Sequence, residues 1–361
     1  MPKPGTPLAH WSDAERQGGF RFFDKVLPSQ TVKRGESVFP LPEADKKIDP
    51  RMTFEGEELS VGDFMEENRV SGLIAVKDGK IVLERYAFGR KPDQRWVSFS
   101  VTKSVTATLA GAAVADGRIK SVNDKVTRYL PELKGSAYDA VSVRDLLTMR
   151  SGVEWNEDYS DPTSDVYQVG MLRPIGGLNP TARYMKDRRR AAAPGKDFLY
   201  NTGETDLAGL LVSAAVGKPL AEYLSEKIWA PFGMESDALW PMDMGGHERG
   251  GCCLNMTLRD YARFGMFAMS GGLAGGKPVL PQDWMAEATR AHVAKPAYGY
   301  FWWVRHDGGY QATGIHGQGI HVLPQHGLVV AFNSAWPQAW DKTYFARQLA
   351  MVEAIRAEVA R

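Results

Sequence analysis

The chain has few of the features that would commit it to a disulfide framework or to a membrane. Only two of its 361 residues are cysteines, and because Cys252 and Cys253 are adjacent they cannot staple distant parts of a fold. We expect them to be small buried side chains. No apolar run reaches the roughly 18 residues that a bilayer span requires, and the N-terminus lacks the apolar core of a secretion signal. The sequence therefore predicts a cytoplasmic protein.

An excess of one charge and the spacing of metal ligands are missing as well. The 44 basic residues balance 43 acidic ones, so no nucleic acid or membrane partner is expected. The seven histidines show no His-x-x-x-His spacing, and neither a paired acidic ligand motif nor a glycine-rich phosphate loop is found. No metal and no cofactor are expected. A small-molecule partner is expected instead, and a homodimer is compatible with the sequence.

What is present is the composition of a folded protein, with 43% hydrophobic and 24% charged residues. Strand patterns stand near both chain ends, in "GLIAVKDGKIVLERYAFGR" and after residue 297, whereas helical patterns fill the middle. Sequential hairpins favour an antiparallel sheet. The pattern predicts an α+β fold with a sheet domain over 1–99 plus 290–361, a mostly helical domain over 100–289, and a cleft between them.

The segment "SFSVTKSVTATLAGAAVADG" places Ser100 three residues before Lys103, at the start of a helix predicted to run to about Ala115. The Ser100 hydroxyl would lie near the positive end of the helix dipole, with Lys103 one turn further on the same side. Lys103 meets no acidic residue until Asp116, so burial should lower its pKa and let it take a proton from serine. In the alternative, equally supported by these residues alone, Ser100 caps the helix and Lys103 reaches water.

Two later segments extend this motif. "PGKDFLYNTGETDLAGLLVSAAVGKPL" carries a Pro-Gly pair and a Phe before Tyr200, and "GGCCLNMTLRDYARFGMFAMSGG" is a glycine-rich turn followed by a Thr-x-x-Asp helix. In this order, over roughly residues 65–335, the chain resembles the class C β-lactamase-related serine hydrolases. Among them it looks nearest to the family VIII carboxylesterases and the 6-aminohexanoate-dimer hydrolases. The segments "GVEWNEDYSDPTSDVY" and "YNTGET" resemble the latter group especially.

The resemblance implies a β-lactamase/transpeptidase-like fold with Ser100 as the acyl-forming nucleophile. It also implies that Lys103 deprotonates or orients the serine, with Tyr200 as the partner general base and acid. To act as a base, the Tyr200 phenol needs its pKa lowered by a neighbouring cation, for which Lys103 is the expected source. The Ser100 N–H would be one oxyanion-hole donor, and Gln318 is the expected second.

Two positions depart from the β-lactamase pattern. Thr202 stands where the second box normally has Asn, and "TGIHGQGIHVLP" lacks the lysine of the third box, Lys-Thr-Gly, so that His316-Gly317 or neighbouring residues fill its place. A neutral imidazole would hold a substrate carboxylate poorly, so we expect at most weak β-lactamase activity. Thr202, His316 and Gly317 are substrate-binding candidates, and for His316 a bond to a neighbouring loop is the alternative.

Three aromatic residues, Trp155, Tyr159 and Tyr167, stand in the 155–193 segment that we expect to set specificity. They are predicted to line the acyl or leaving-group pocket, and for each of them simple packing between loop and helices is the alternative.

The sequence thus predicts a serine hydrolase that cleaves small carboxylic esters through an acyl-enzyme on Ser100. The first alternative is an amidase acting on short linear amides, as in the 6-aminohexanoate-dimer hydrolases. The second is a catalytically silent binding protein of the same fold. The intact set of Ser100, Lys103 and Tyr200 argues against the second.

Overall fold

The computed structural model describes residues 1–3, 6, 8–175 and 179–361. Its strands are β1 Ser29–Val32, β2 Met52–Phe54, β3 Glu57–Leu59, β4 Val70–Lys77, β5 Lys80–Tyr86, β6 Trp96–Val97, β7 Ala238–Pro241, β8 Asn255–Met256, β9 Leu273–Ala274, β10 Lys277–Pro278, β11 Val293–Ala294, β12 Ala297–Tyr298, β13 Trp303–Val304, β14 Tyr310–Gly314, β15 Gln318–Leu323 and β16 Leu328–Ser334. Its α-helices are α1 Asp13–Arg21, α2 Val61–Glu67, α3 Val101–Ala115, α4 Val143–Leu147, α5 Asp165–Gly170, α6 Pro180–Lys186, α7 Thr202–Val216, α8 Leu220–Leu224, α9 Ala230–Phe232, α10 Leu258–Met269, α11 Trp284–Ala288 and α12 Lys342–Val359.

The central element is an eight-stranded sheet in the order β11-β12-β13-β14-β15-β16-β4-β5. Every neighbouring pair is antiparallel. The predicted hairpin is confirmed: β4 and β5 are joined by Asp78 and Gly79, whose φ angles of 47° and 79° suit a tight two-residue turn. Since β4 and β5 precede residue 100 and the other strands follow residue 290, the predicted sheet drawn from both chain ends is confirmed.

Both faces of this sheet are covered by helices. Along β16, Val329 and Ala331 belong to the core that includes α3 and α10, whereas Leu328, Val330 and Phe332 belong to the core that includes α2 and α12. This alternation follows from the two-residue period of a strand. Because α3 lies between the sheet and α7, its side chains from residue 101 to 113 are all buried.

A second, four-stranded sheet has the order β1-β7-β8-β6 and delivers the chain to the start of α3. Strand β6 pairs with β8, and the Ser98 N–H donates to the Leu254 carbonyl at 3.0 Å. Phe99 then adopts a left-handed φ of 44°, a conformation that is rare outside glycine and turns the chain sharply. Ser100 therefore stands at a strand-to-helix corner beside the 250–256 segment.

Two segments with simple local patterns, one strand-like and one helix-like, form different elements. "YGYFWWVR" is not one strand but two short ones, β12 and β13, because the Phe301 N–H turns away to bind the Leu147 carbonyl. "SVNDKVTRYLPEL" forms only the short 3-10 turns Val126–Arg128 and Pro131–Leu133. The 155–193 segment contains α5 and α6, and its residues 176–178 lie outside the described part.

The cysteine pair and the apolar helices also have definite places. Cys252 and Cys253 lie just before β8, where Cys253 is buried and Cys252 is half-buried, and because they are adjacent they join no distant segments. Of the helices in the described residues, none alone has the length and apolar composition to cross a membrane. Thr202–Val216 and Leu220–Phe232, bent by 75°, meet that criterion only as a pair.

Candidate active site

The Ser100 hydroxyl is not used to cap its helix. Ser100 occupies the N-cap position of α3, yet its side chain accepts no capping hydrogen bond from the described first turn. Instead Lys103 Nζ lies 3.1 Å from Ser100 Oγ. Ser100 is 8% exposed, which leaves the hydroxyl at the edge of a largely dry site. The capped-helix alternative therefore does not describe this serine.

Lys103 is buried among neutral acceptors. It is 1% exposed, so it does not reach water, and its Nζ also donates to Thr202 Oγ1 and to the Gly251 carbonyl, both at 2.9 Å. Burial lowers the pKa of Lys103 to about 8, although the nearby Glu157 and Asp206 carboxylates oppose the decrease. A lysine with this pKa is partly neutral near pH 7 and can accept a proton.

Tyr200 lies under the lysine, but its electrostatics differ from the expectation. Lys103 Nζ sits 5.3 Å from the centre of the Tyr200 ring, and the Trp303 ring stacks on Tyr200 with the ring centres 5.8 Å apart. Burial and the nearby Glu157 charge raise the pKa of Tyr200 above its usual value, while a hydrogen bond with Ser100 opposes the rise. The predicted lowering of the Tyr200 pKa by Lys103 is wrong, because burial and the nearby Glu157 carboxylate raise that pKa instead. Tyr200 keeps its proton and can donate it.

Glu157 is a site residue that the sequence did not reveal. Its carboxylate accepts from the Thr202 N–H at 3.0 Å, from the Thr202 hydroxyl, from the Tyr159 hydroxyl at 2.6 Å and from Trp155 Nε1. Two of the three predicted loop aromatics thus reach the site, through Glu157. Tyr167 lies half-buried in α5 and takes part in none of these contacts. The sequence feature that could have pointed to Glu157 is its place between two aromatic residues, in "WNEDY".

The strand beside the nucleophile is β14. A Cβ added to Gly314 would lie 2.5 Å from the Ser98 carbonyl oxygen and 3.2 Å from the Ser100 nitrogen, so only glycine lets the strand approach this closely. The Thr-Gly pair of the third box is therefore found at the end of Ala312–Gly314, with alanine in the place of lysine. His316, expected in that place, comes after the strand has ended.

The 316–318 turn is tied to the chain around Trp336. The buried His316 ring donates through Nδ1 to the Trp336 carbonyl at 2.7 Å, and burial lowers its pKa to about 4, which favours the loop-bonding alternative. A Cβ on Gly317 would meet the Trp336 indole at 2.3 Å. The Gln318 amide donates to the carbonyls of His316 at 3.1 Å and Ser334 at 2.8 Å, so its side chain braces the turn.

The site as a whole brings a hydroxyl, a buried amine and a phenol together with the backbone of a helix start and a strand end. These are the groups that acyl transfer requires. In the part of the chain that the structure describes, no three His, Cys, Asp or Glu side chains are grouped so as to hold a metal ion.

Comparison with known proteins identifies relatives. Residues 58–350 match the sequence profile of the beta-lactamase family. Over 358 residues the chain is 28% identical to the 6-aminohexanoate-dimer hydrolase of Paenarthrobacter ureafaciens, covering 92% of this chain and 89% of that protein. A solved Bacillus anthracis structure assigned to the 6-aminohexanoate-dimer hydrolases superposes with a TM-score of 0.85 at 21% identity, over 100% of this chain and 99% of the other. A family VIII carboxylesterase gives 0.60 at 17% identity, over 81% and 94%. The last two likenesses concern the fold.

Proposed function

The chain belongs to the beta-lactamase family of serine hydrolases, and from that premise we propose that it cleaves small carboxylic esters through an acyl-enzyme on Ser100. The observation that carries the proposal is the 3.1 Å contact between Lys103 Nζ and Ser100 Oγ inside a buried site. We further propose that substrate enters between the sheet domain, 1–99 plus 290–361, and the helical domain, 100–289. Gly314 of the first meets Ser100 of the second at that boundary.

Acylation uses the two proton-carrying groups in turn. Neutral Lys103 takes the Ser100 proton as Oγ bonds to the ester carbonyl carbon. The tetrahedral intermediate then collapses, the bond to the leaving oxygen breaks, and Tyr200 gives its proton to the departing alkoxide. The Lys103 ammonium returns a proton to the Tyr200 phenolate, so both groups regain their resting states. This division of labour agrees with the lowered pKa of Lys103 and the raised pKa of Tyr200.

Deacylation repeats the sequence with water. A water molecule attacks the acyl carbon and gives its proton to Lys103, after which the bond from carbon to Ser100 Oγ breaks and Oγ regains a proton from the Lys103 ammonium. The sum of both halves is ester plus water giving acid plus alcohol.

The oxyanion is proposed to bind between backbone N–H groups. One is the Ser100 N–H at the start of α3, where the helix dipole favours negative charge. The sequence suggested Gln318 as the second donor. The N–H of Ile315 is the better candidate, because Ile315 directly follows Gly314, which lies against the Ser100 nitrogen. We propose Ile315 as the second donor and Gln318 as the brace of its turn.

Short linear amides are the second candidate substrate class. The observation that favours them is the relative named 6-aminohexanoate-dimer hydrolase, which matches 92% of this chain. An amine leaves less readily than an alkoxide, so an amide would depend more strongly on the Tyr200 proton. Because alanine occupies position 312, where the third box has lysine, no cation there can bind the carboxylate of a β-lactam. We therefore propose at most weak β-lactamase activity.

Intact-mass analysis tests the proposal. Wild type, Ser100→Ala and the exposed control Ser37→Ala are mixed briefly with p-nitrophenyl butyrate and quenched. We expect a single butyryl adduct and turnover in wild type and in Ser37→Ala, and neither in Ser100→Ala. Equal turnover in all three proteins would overturn the proposal. Parallel assays with the 6-aminohexanoate linear dimer decide between ester and amide substrates.

A further inference from the structure

The Glu157 carboxylate is saturated by groups of the protein. The four donors that reach it come from Thr202, Tyr159 and Trp155, and two carboxylate oxygens offer about four acceptor positions. In the described residues Glu157 forms no ion pair, whereas Asp206, the other carboxylate near Lys103, is paired with Arg249 at 3.4 Å. Glu157 is thus directed at the protein interior and not at a substrate.

The direction of the hydrogen bonds follows from the chemistry of each group. An ionised carboxylate can only accept hydrogen bonds, so the Thr202 hydroxyl donates its one proton to Glu157. Thr202 Oγ1 must then act as an acceptor toward Lys103, which lies 2.9 Å away. The Gly251 carbonyl, the other 2.9 Å partner, can also only accept. A neutral Lys103 amine therefore donates its two N–H groups to Thr202 and Gly251, and its lone pair is left facing Ser100.

We propose that Glu157 is a positioning residue which, through Thr202, aims the lone pair of Lys103 at Ser100 and balances the ammonium charge that Lys103 acquires when it takes the serine proton. The inference rests on the proposed function, because it assigns a third member to the Ser100–Lys103 pair. It follows the general pattern in which a nucleophile and its base are oriented by one further group.

Removing Glu157 should change both the hydrogen bonds and the pKa of Lys103. If Glu157 were replaced by a residue that accepts nothing, the Thr202 hydroxyl could turn and donate to the Lys103 lone pair, in competition with Ser100. The charged groups facing Lys103 are Glu157 from the loop, Asp206 from α7 and Arg249 from the segment before β8. Since Glu157 opposes the lowering of the Lys103 pKa, its neutralisation should lower that pKa further.

The test measures kcat and kcat/KM for p-nitrophenyl butyrate from pH 6 to 10 in wild type, Glu157→Gln and Asp158→Asn. Asp158 is exposed and accepts from Ser160 in the same loop, so it is a matched loss of one neighbouring charge. Glu157→Gln keeps an oxygen that can accept from Thr202 but removes the charge. We therefore expect the rising limb to move to lower pH by about 1 unit and the kcat plateau to fall roughly tenfold, because the Lys103 ammonium loses its balancing charge. Asp158→Asn should leave both unchanged.

A second pair of variants keeps the inference testable if Glu157→Gln does not fold. Thr202→Val removes the relay and keeps the carboxylate, whereas Thr202→Ser keeps the hydroxyl. We expect Thr202→Val to lose roughly tenfold in kcat at pH 9–10, where Lys103 is already neutral, and Thr202→Ser to recover most of that loss.

The outcomes separate this inference from the proposed function. Equal turnover in wild type and Ser100→Ala would remove the proposed function itself. An active wild type whose rising limb and kcat plateau are unchanged in Glu157→Gln, with any loss confined to KM or to the melting temperature, would show a merely structural Glu157 and overturn the inference alone.

Discussion

Lys103 Nζ lies 3.1 Å from Ser100 Oγ although only 1% of the lysine is exposed. Ser100 is the N-cap of α3 and Lys103 lies in its first turn, and the packing of that helix between the sheet and α7 removes the lysine from water. The same packing that stabilises the helix thus lowers the pKa of Lys103 to about 8. The burial that makes the charged form of Lys103 unfavourable is therefore also what allows Lys103 to act as a base.

The first prediction concerns pH. Because only the neutral amine can accept the serine proton, kcat/KM for p-nitrophenyl butyrate should rise through an apparent pKa near 8 and level off above it. Lys103→Arg keeps a cation that does not deprotonate, so we expect a loss of at least roughly 10³-fold and no rising limb in this range. Initial rates from pH 6 to 10 provide the check. A profile that is flat from pH 6 to 9 in wild type would contradict it.

The second prediction concerns the proton of Tyr200. Tyr200→Phe keeps the ring stacked on Trp303 but removes the hydroxyl that protonates the leaving group. Because p-nitrophenolate leaves without protonation, we expect kcat/KM to fall only about tenfold for p-nitrophenyl butyrate. For ethyl butyrate, whose alkoxide needs the proton, we expect kcat/KM to fall by roughly 10²–10⁴-fold.

The control for this prediction makes the same change one ring away. Tyr298 is buried and contacts both Tyr200 and Trp303, so Tyr298→Phe should affect the two esters equally. Equal losses for both esters in Tyr200→Phe would remove the leaving-group role and leave only a packing role.

Local patterns were enough to predict the helix after Ser100 and the Asp78-Gly79 hairpin, whereas Tyr200 was singled out only through the family resemblance. The helix and the hairpin each depend on neighbours within a few residues: a strand-to-helix transition and a two-residue turn. The sheet drawn from both chain ends was predicted for the same reason, since its hairpins are sequential. These features are determined by residues that are close together in the sequence.

The contacts that tune the site are not local, and they were missed. Glu157 bonds Thr202 across 45 residues, and its charge adds to the burial that raises the pKa of Tyr200. Gly314 reaches Ser100 from the far end of the chain, so "TGIHGQG" alone could not show which glycine approaches the nucleophile. Such relations arise only when separate elements pack against each other.

The third prediction concerns Gly314. Its φ of −126° and ψ of 151° suit any residue, so Gly314→Ala introduces a steric clash with the Ser98 carbonyl without backbone strain. We expect β14 to move away from Ser100 nitrogen and kcat to fall by roughly 10²–10³-fold, the effect of losing one oxyanion donor. Gly62→Ala in α2, where the nearest atom is 3.6 Å away, is the control and should stabilise the fold by about 0.5–1 kcal/mol. A kcat within twofold of wild type in Gly314→Ala would place the oxyanion elsewhere.

The last prediction concerns Glu204, which lies buried in the first turn of α7 and accepts from the Ser151 hydroxyl. Burial raises the pKa of Glu204 from 4.5 to about 8, so between these pH values the folded protein binds a proton that the unfolded chain releases. The free energy of unfolding must therefore fall as pH rises through this window, by at most about 1.4 kcal/mol per pH unit.

Glu204→Gln keeps an acceptor for Ser151 and cannot ionise, so its stability relative to wild type should increase from pH 6.5 to 8. Urea unfolding at both pH values measures the difference. Asp260, whose pKa is raised to about 6, titrates mostly below this range, and Lys103 is common to both proteins, so the difference between them isolates Glu204. Exposed Glu36→Gln is the control and should follow wild type. If Glu204→Gln also kept a constant offset from wild type across this range, Glu204 would not be the buried acid that the fold keeps protonated.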